Sequence, residues 1–130
     1  MTADAVIAGI GCRRGASSAD IVALVRRALA AVSDRDLSLV ALAAPVFKGR
    51  EVGVREAAAH FGVALILVDF ATLEAAQPRC VTRSDHAKRL HGIASIAEGA
   101  ALAAAGADGS LLLPRIAASS VTCALARRPS

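Results

Sequence analysis

Apolar residues along this chain fall into two alternating rhythms: short unbroken runs, and positions spaced three or four apart. Ala5–Ile10 is an unbroken run and predicts a buried strand. Residues Gly9 to Gly15 read as the loop that follows. Ser17 with Asp20 has capping-box spacing, and Ile21, Leu24, Val25, Ala28, Leu29 and Val32 continue at helical spacing. After a turn over 33–36, Leu37–Ala43 predicts a second strand and Pro45–Gly49 a second loop. Glu51–Phe61 predicts a helix with Val54, Ala57, Ala58 and Phe61 on one face, closed by Gly62. Val63–Val68 is a third buried strand, and Leu73–Ala76 a short helix stopped before Pro78.

The second half is less regular. Pro78–Gly92 carries Arg79, Arg83, Lys88 and Arg89 against the single acid Asp85. It reads as a solvated, partly helical loop, or as a mobile segment closing over an anion. Ser95 with Glu98 forms another capping-box pattern and opens a helix through Ala105, broken by Gly106 and Gly109. Ser110–Leu113 predicts a short strand ending at Pro114. Val121–Ala126 predicts the last strand, an edge or partly exposed one because of Thr122 and Cys123, with a frayed tail over 127–130. This order predicts a single α/β domain over residues 1–130, a layered sandwich with a mostly parallel sheet flanked by helices. Loops after parallel strands then gather on one edge, where such folds bind ligands.

Composition narrows the options. The chain is 55% hydrophobic and 20% charged, so a packed core is expected rather than disorder. Trp and Tyr are absent and Phe occurs three times, which gives an aliphatic core and argues against nucleic-acid modules that stack bases on rings. The net charge is +4, suiting an anionic small molecule, and all but Lys48 and Lys88 of the cations are arginine. Cys12, Cys80 and Cys123 show neither a disulfide framework nor zinc spacing, and His60, His86 and His91 show no metal spacing. Asp4 without a basic n-region predicts no signal peptide, and no apolar run is long enough for a membrane span. A cytoplasmic location follows by elimination.

The candidate chemistry lies at predicted strand ends. Gly9-Ile10-Gly11-Cys12-Arg13-Arg14-Gly15 places glycines and two arginines before a helix, a setting for an anion. The third glycine comes one position late for a dinucleotide fingerprint, and no acid follows the second strand to hold a ribose. No P-loop exists, and no cofactor is implied. Cys12 sits where the helix start and Arg13 and Arg14 would lower a thiol pKa, yet no base is nominated beside it. Lys48 and Glu51 are either a pair at the helix start or a ligand clamp. Glu98 is either the third residue of a capping box or a catalytic carboxylate. His86 and His91 could bind an anion or shuttle protons.

Several of these segments resemble the CobE/CbiG C-terminal-domain family of cobalamin biosynthesis. They are Ile7–Gly15 with Ser17; Lys48, Glu51 and Gly53; Ser84 followed by Gly92-Ile93-Ala94-Ser95-Ile96-Ala97-Glu98; Ala100–Leu102; and Thr122-x-Ala124-x-Ala126-Arg127. The chain departs from the pattern at Ala16, where threonine is usual, and at Arg115, where lysine is usual. The resemblance implies a role in building the corrin ring of vitamin B12, most like the stand-alone members. It implies a ligand of precorrin or hydrogenobyrinic-acid type, handled as a carrier or accessory factor, with other pathway enzymes as partners and neither nucleic acid nor membrane involved. The implied ligand-binding residues are Gly11, Cys12, Arg13, Arg14, Gly15, Ser17, Lys48, Glu51, Ser84, His91 and Arg115. The alternative is an enzyme hydrolysing or rearranging a precorrin, as the longer family members open a lactone, with Glu98 or a histidine of the basic loop as general base and Arg13 or Lys48 stabilising developing negative charge.

Overall fold

The structure is a computed structural model and describes residues 3–34 and 36–129. Arg35, inside the predicted 33–36 turn, and Ser130, at the end of the predicted tail, lie outside the described residues. Among the described residues there are five strands and five α-helices. In chain order they are β1 (Asp4–Cys12), α1 (Ser18–Ala31), β2 (Leu37–Pro45), α2 (Val52–Phe61), β3 (Ala64–Val68), α3 (Phe70–Ala76), α4 (Asp85–His91), α5 (Ile96–Ala105), β4 (Ser110–Ala118) and β5 (Val121–Arg128). Short 3₁₀ turns occupy Val46–Lys48 and Gln77–Arg79.

The strands form one sheet in the order β3-β2-β1-β5-β4. β1, β2 and β3 run parallel, as the alternation of strand and helix predicts. β5 runs antiparallel to both β1 and β4, so the sheet is mixed rather than mostly parallel. The reason is a hairpin that the sequence conceals. Ser119 takes a positive φ of 53° between β4 and β5, a turn usually marked by glycine or asparagine.

The hairpin corrects three further expectations. β4 continues past Pro114 to Ala118, because Pro114 lies on an edge strand where the pairing register shifts. β5 is interior, not an edge, and Cys123 is fully buried. Its end is not frayed: Arg127 pairs with Val6, and Arg128 with Ala5.

Strand alternation divides the core. Val6, Ala8 and Ile10 face α1 and α2, together with Leu42, Ala44, Cys123 and Leu125. Ile7, Ala41, Ala43 and Ala126 face the opposite way, toward Leu73 of α3 and the alanines of α5. A helix layer therefore covers each face. The α5 layer lies very close to the sheet. A Cβ added at Gly9 would stand 2.6 Å from the backbone N of Ala101 and overlap the carbonyl O of Ala97. Gly9 belongs to β1 and lets a helix in; it is not part of a ligand loop.

Candidate functional site

The ends of β1 and β2, the start of β5 and the start of α5 meet at one edge of the sheet. Antiparallel pairing sets Cys12 opposite Val121 and Gly11 opposite Thr122. The loop after β1 is held to the hairpin by the Arg13 N–H donating to Ser120 O at 2.9 Å. A cavity of about 530 Å³ opens there. Its apolar lining includes Ile96, Ala97, Val121, Phe47 and Leu90. Its cations are Arg13, Arg14, Lys48 and Arg115, and its histidines are His86 and His91.

Of the residues picked out from sequence, Gly11, Cys12, Arg13, Arg14, Lys48, Ser84, His91, Glu98 and Arg115 line this one cavity. Gly15, Ser17 and Glu51 do not; they lie together in a neighbouring shallow cleft. Their local roles are plain. Ser17 Oγ accepts from the Asp20 N–H and caps α1. Glu51 Oε1 accepts from the Gly15 N–H at 2.7 Å and so ties the arginine loop to the start of α2. Ser84 both lines the cavity and caps α4, its Oγ accepting from the Ala87 N–H.

The basic 78–92 segment is the solvated, partly helical stretch that was one of its two expected forms, and its cations do not close over the cavity. Arg79 donates to the carbonyls of Leu102, Gly106 and Gly109 and closes the C-terminal end of α5. Arg83, Lys88 and Arg89 are exposed and do not line the cavity. Short polar and apolar side chains and two histidines face the cavity instead.

Glu98 is 1% exposed and is not the reciprocal member of a capping box. Ser95 Oγ donates to Thr82 O rather than capping α5. Glu98 Oε1 accepts from the N–H groups of Val81 at 2.8 Å and Thr82 at 3.0 Å, and Oε2 from the Arg115 N–H at 2.9 Å. Burial alone would raise its pKa. The bonds from Arg115, Thr82 and Val81 outweigh burial and hold it below the usual glutamate value, as an ionised acceptor.

Two other groups lining the cavity differ from ordinary values. Burial pushes the Cys12 thiol up; the Lys48 charge acts the other way and Glu51 reinforces burial. The expected lowering by the helix start and Arg13 and Arg14 therefore does not prevail. His91 is pushed down, first by burial and then by Lys48 and His86, so its neutral form is favoured. Its ring stacks on Phe47 with centroids 4.7 Å apart and planes at 22°.

Sequence reasoning missed the apolar part of the site. Phe47 is one of three aromatics in the chain, sits beside Lys48 and is 44% exposed; that exposure was the signal, but only the fold reveals it. Ser119 and Ser120 reach the cavity through the concealed hairpin.

A sheet-edge cavity lined by arginines after β1, by the start of α5 and by the β4–β5 hairpin defines an α/β ligand-site domain. The chain belongs to the family described as cobalamin synthesis G C-terminus, whose model matches residues 6–126. It is a cobalamin biosynthesis protein of the CobE/CbiG C-terminal type. It is 37% identical over 123 residues to Protein CobE of Sinorhizobium sp, covering 93% of this chain and 79% of that one. A crystal structure of CobE, a protein from the cobalamin (vitamin B12) biosynthetic pathway, superposes with a TM-score of 0.86 at 36% identity, covering 95% of this chain and 90% of that chain. The cobalamin biosynthesis protein chiG from Agrobacterium tumefaciens str. C58 superposes at 0.75 with 37% identity, over 96% of this chain and 99% of that chain. Among the described residues, no helix is long and apolar enough to cross a membrane.

Proposed function

We propose that this protein binds a corrinoid intermediate of precorrin or hydrogenobyrinic-acid type and serves as its carrier or accessory factor, handing it on to other cobalamin-pathway enzymes. The observation that carries the reading is a charge imbalance in the cavity. Arg13, Arg14, Lys48 and Arg115 line it, and the single carboxylate in its lining, Glu98, is occupied by three backbone N–H groups. Among the described residues the ion pair is Arg127 with Asp4, away from the cavity. Uncompensated cations around an apolar floor suit a macrocycle whose rim carries many carboxylates.

Binding is favoured over hydrolysis by the state of the carboxylate and the thiol in the cavity lining, Glu98 and Cys12. Glu98 has both oxygens engaged and its pKa held down, the opposite of a base poised near neutrality. The Cys12 thiol is pushed up and has no base within hydrogen-bonding distance among the described residues. Glu98 is better read as the residue that positions the 81–82 backbone and the Arg115 backbone around the cavity.

A spectral titration with hydrogenobyrinic acid tests the proposal. Saturable binding is expected, and Arg13→Ala or Arg14→Ala should each weaken it about 10- to 150-fold, the equivalent of one charge-assisted hydrogen bond. No saturable change with the wild-type chain would overturn the reading.

A further inference from the structure

The segment from Ser84 to Gly92 is built unlike the rest of the molecule. It holds α4, a helix of seven residues with no buried member. Among the described residues, no hydrogen bond made by residues 85–92 leaves the 84–92 segment. Lys88 N donates to Ser84 O, Gly92 N to Lys88 O, and Lys88 Nζ to Gly92 O. A helix this short has little stability of its own in water.

Both ends of the segment, by contrast, are fastened. Ser84 N donates to Ala94 O at 2.8 Å, which brings the two ends together. On the near side, Glu98 accepts from Val81 and Thr82. On the far side, Gln77 grips the Ser95 backbone twice, donating to its carbonyl at 2.9 Å and accepting from its N–H at 3.0 Å. Ile93, 1% exposed, plugs into the core directly after Gly92. Gly92 has φ +73°, a conformation open to glycine at no steric cost, so a hinge there needs no strained side chain.

Between these fixed ends, Ser84, His86, Ala87, Leu90 and His91 line the cavity. The aromatic contact from the segment to the body of the protein is the stack of His91 on Phe47, both of which line the cavity.

We propose that residues 84–92 form a lid over the cavity, swinging as a unit between the clamp at Ser84 and the hinge at Gly92, with the Phe47–His91 stack as its latch. Opening the lid breaks that stack but no hydrogen bond to the body, and no residue of α4 belongs to the buried core. The clamps at Gln77 and Glu98 keep the opening local, so that the arginine loop and the hairpin stay in place while one wall moves. The nature of the ligand rests on the corrinoid reading above; the opening of the lid in the free protein does not.

Amide hydrogen exchange on the full chain tests this in two arms. In the ligand-free protein, the amides of Lys88–Gly92 should exchange far faster than those of Ala100–Ala105 in α5. Phe47→Ala should speed them by a further factor of roughly 2 to 12, the worth of one aromatic pair, and leave α5 unchanged. Lid amides as protected as those of α5, or indifferent to Phe47→Ala, would overturn the lid. Phe47 is half-exposed, so this variant keeps the core intact. Gly92→Ala, which meets no atom closer than 3.9 Å but forces a side chain into the left-handed region, should alter the same amides and no others. In the second arm, saturating hydrogenobyrinic acid should slow exchange across 84–92. Binding that leaves the lid amides unchanged would overturn the lid and keep the corrinoid reading. Fast, Phe47-sensitive lid amides without any binding would support the lid and remove the corrinoid reading.

Discussion

Replacing Glu98 with glutamine keeps the shape of the side chain and removes its charge. The wild-type carboxylate accepts three backbone N–H bonds, two at Oε1 and one at Oε2. A glutamine can offer its oxygen to one side only. Its amide N–H₂ then faces either Arg115 N–H or the Val81 and Thr82 N–H pair, donor against donor. At least one bond is lost, and those that survive lose their charge assistance, worth about 1 kcal/mol or somewhat more each. Val81 and Arg115 are exposed enough for water to replace part of the loss. A net cost of about 2–3 kcal/mol follows, or roughly 6–12 °C in melting temperature for a chain of this length. The acid limb provides a second signature. The folded pKa of Glu98 lies below the unfolded value, so its contribution is fully present above about pH 4.3 and disappears as pH falls through the lower folded pKa. Wild-type stability should therefore fall across that window more steeply than that of Glu98→Gln. Asp69, also held low by its bonds to the Thr72 backbone and side chain, contributes equally to both proteins and cancels in the difference. Thermal melts of the two proteins from pH 7 to pH 3 are the assay. Equal melting temperatures at pH 7 with superimposable acid limbs would refute the view of Glu98 as a structural hub. If precorrin turnover were found and lost in such a stable variant, the general-base reading would return.

Two further outcomes follow from particular contacts. Gly9→Ala should destabilise the fold by about 3 kcal/mol or prevent folding, because the added methyl meets the α5 backbone rather than a movable side chain; urea denaturation measures it, and a loss below about 1 kcal/mol would show that α5 can retreat. His91 shares its cavity with Lys48, His86, Arg13, Arg14, Arg115 and Glu98, and burial, Lys48 and His86 hold its free-state pKa down. A bound polycarboxylate would offset the cations and raise that pKa, so corrinoid affinity should strengthen as pH falls from 8 toward about 5.5. Titrations of wild type and His91→Gln check this; equal slopes would exclude His91 as the proton-linked group.

Much of the site was legible because its parts cluster in sequence around strand ends. Arg13, Arg14 and Lys48 follow β1 and β2 directly, and parallel strands must deliver such loops to the same edge. Ser17 and Glu51 were visible as polar residues at helix starts; Ser17 caps α1, Glu51 ties the arginine loop, and neither lines the cavity. Glu98 illustrates the limit: its spacing from Ser95 suits a capping box, but the carboxylate finds three better donors on segments 16 to 17 residues away. Local spacing has no means of counting such donors.

Hydrophobic rhythm alone determined the order of the βαβαβ half, both helix layers and the aliphatic core, because burial on one face or two leaves a period that any register shift would spoil; it did not place β3, expected to be buried, at the sheet edge with Ala64 and Leu67 exposed. Tertiary structure alone decided the direction of β5, the buried place of Cys123 and the reach of Ser119 and Ser120 into the cavity. It also turned the 84–92 cations outward and brought Phe47 to His91. The physical reason is the same in each case. A hairpin turn without glycine, a buried carboxylate and an exposed aromatic acquire their partners only across long sequence separations, where packing and hydrogen-bond satisfaction outweigh local propensity.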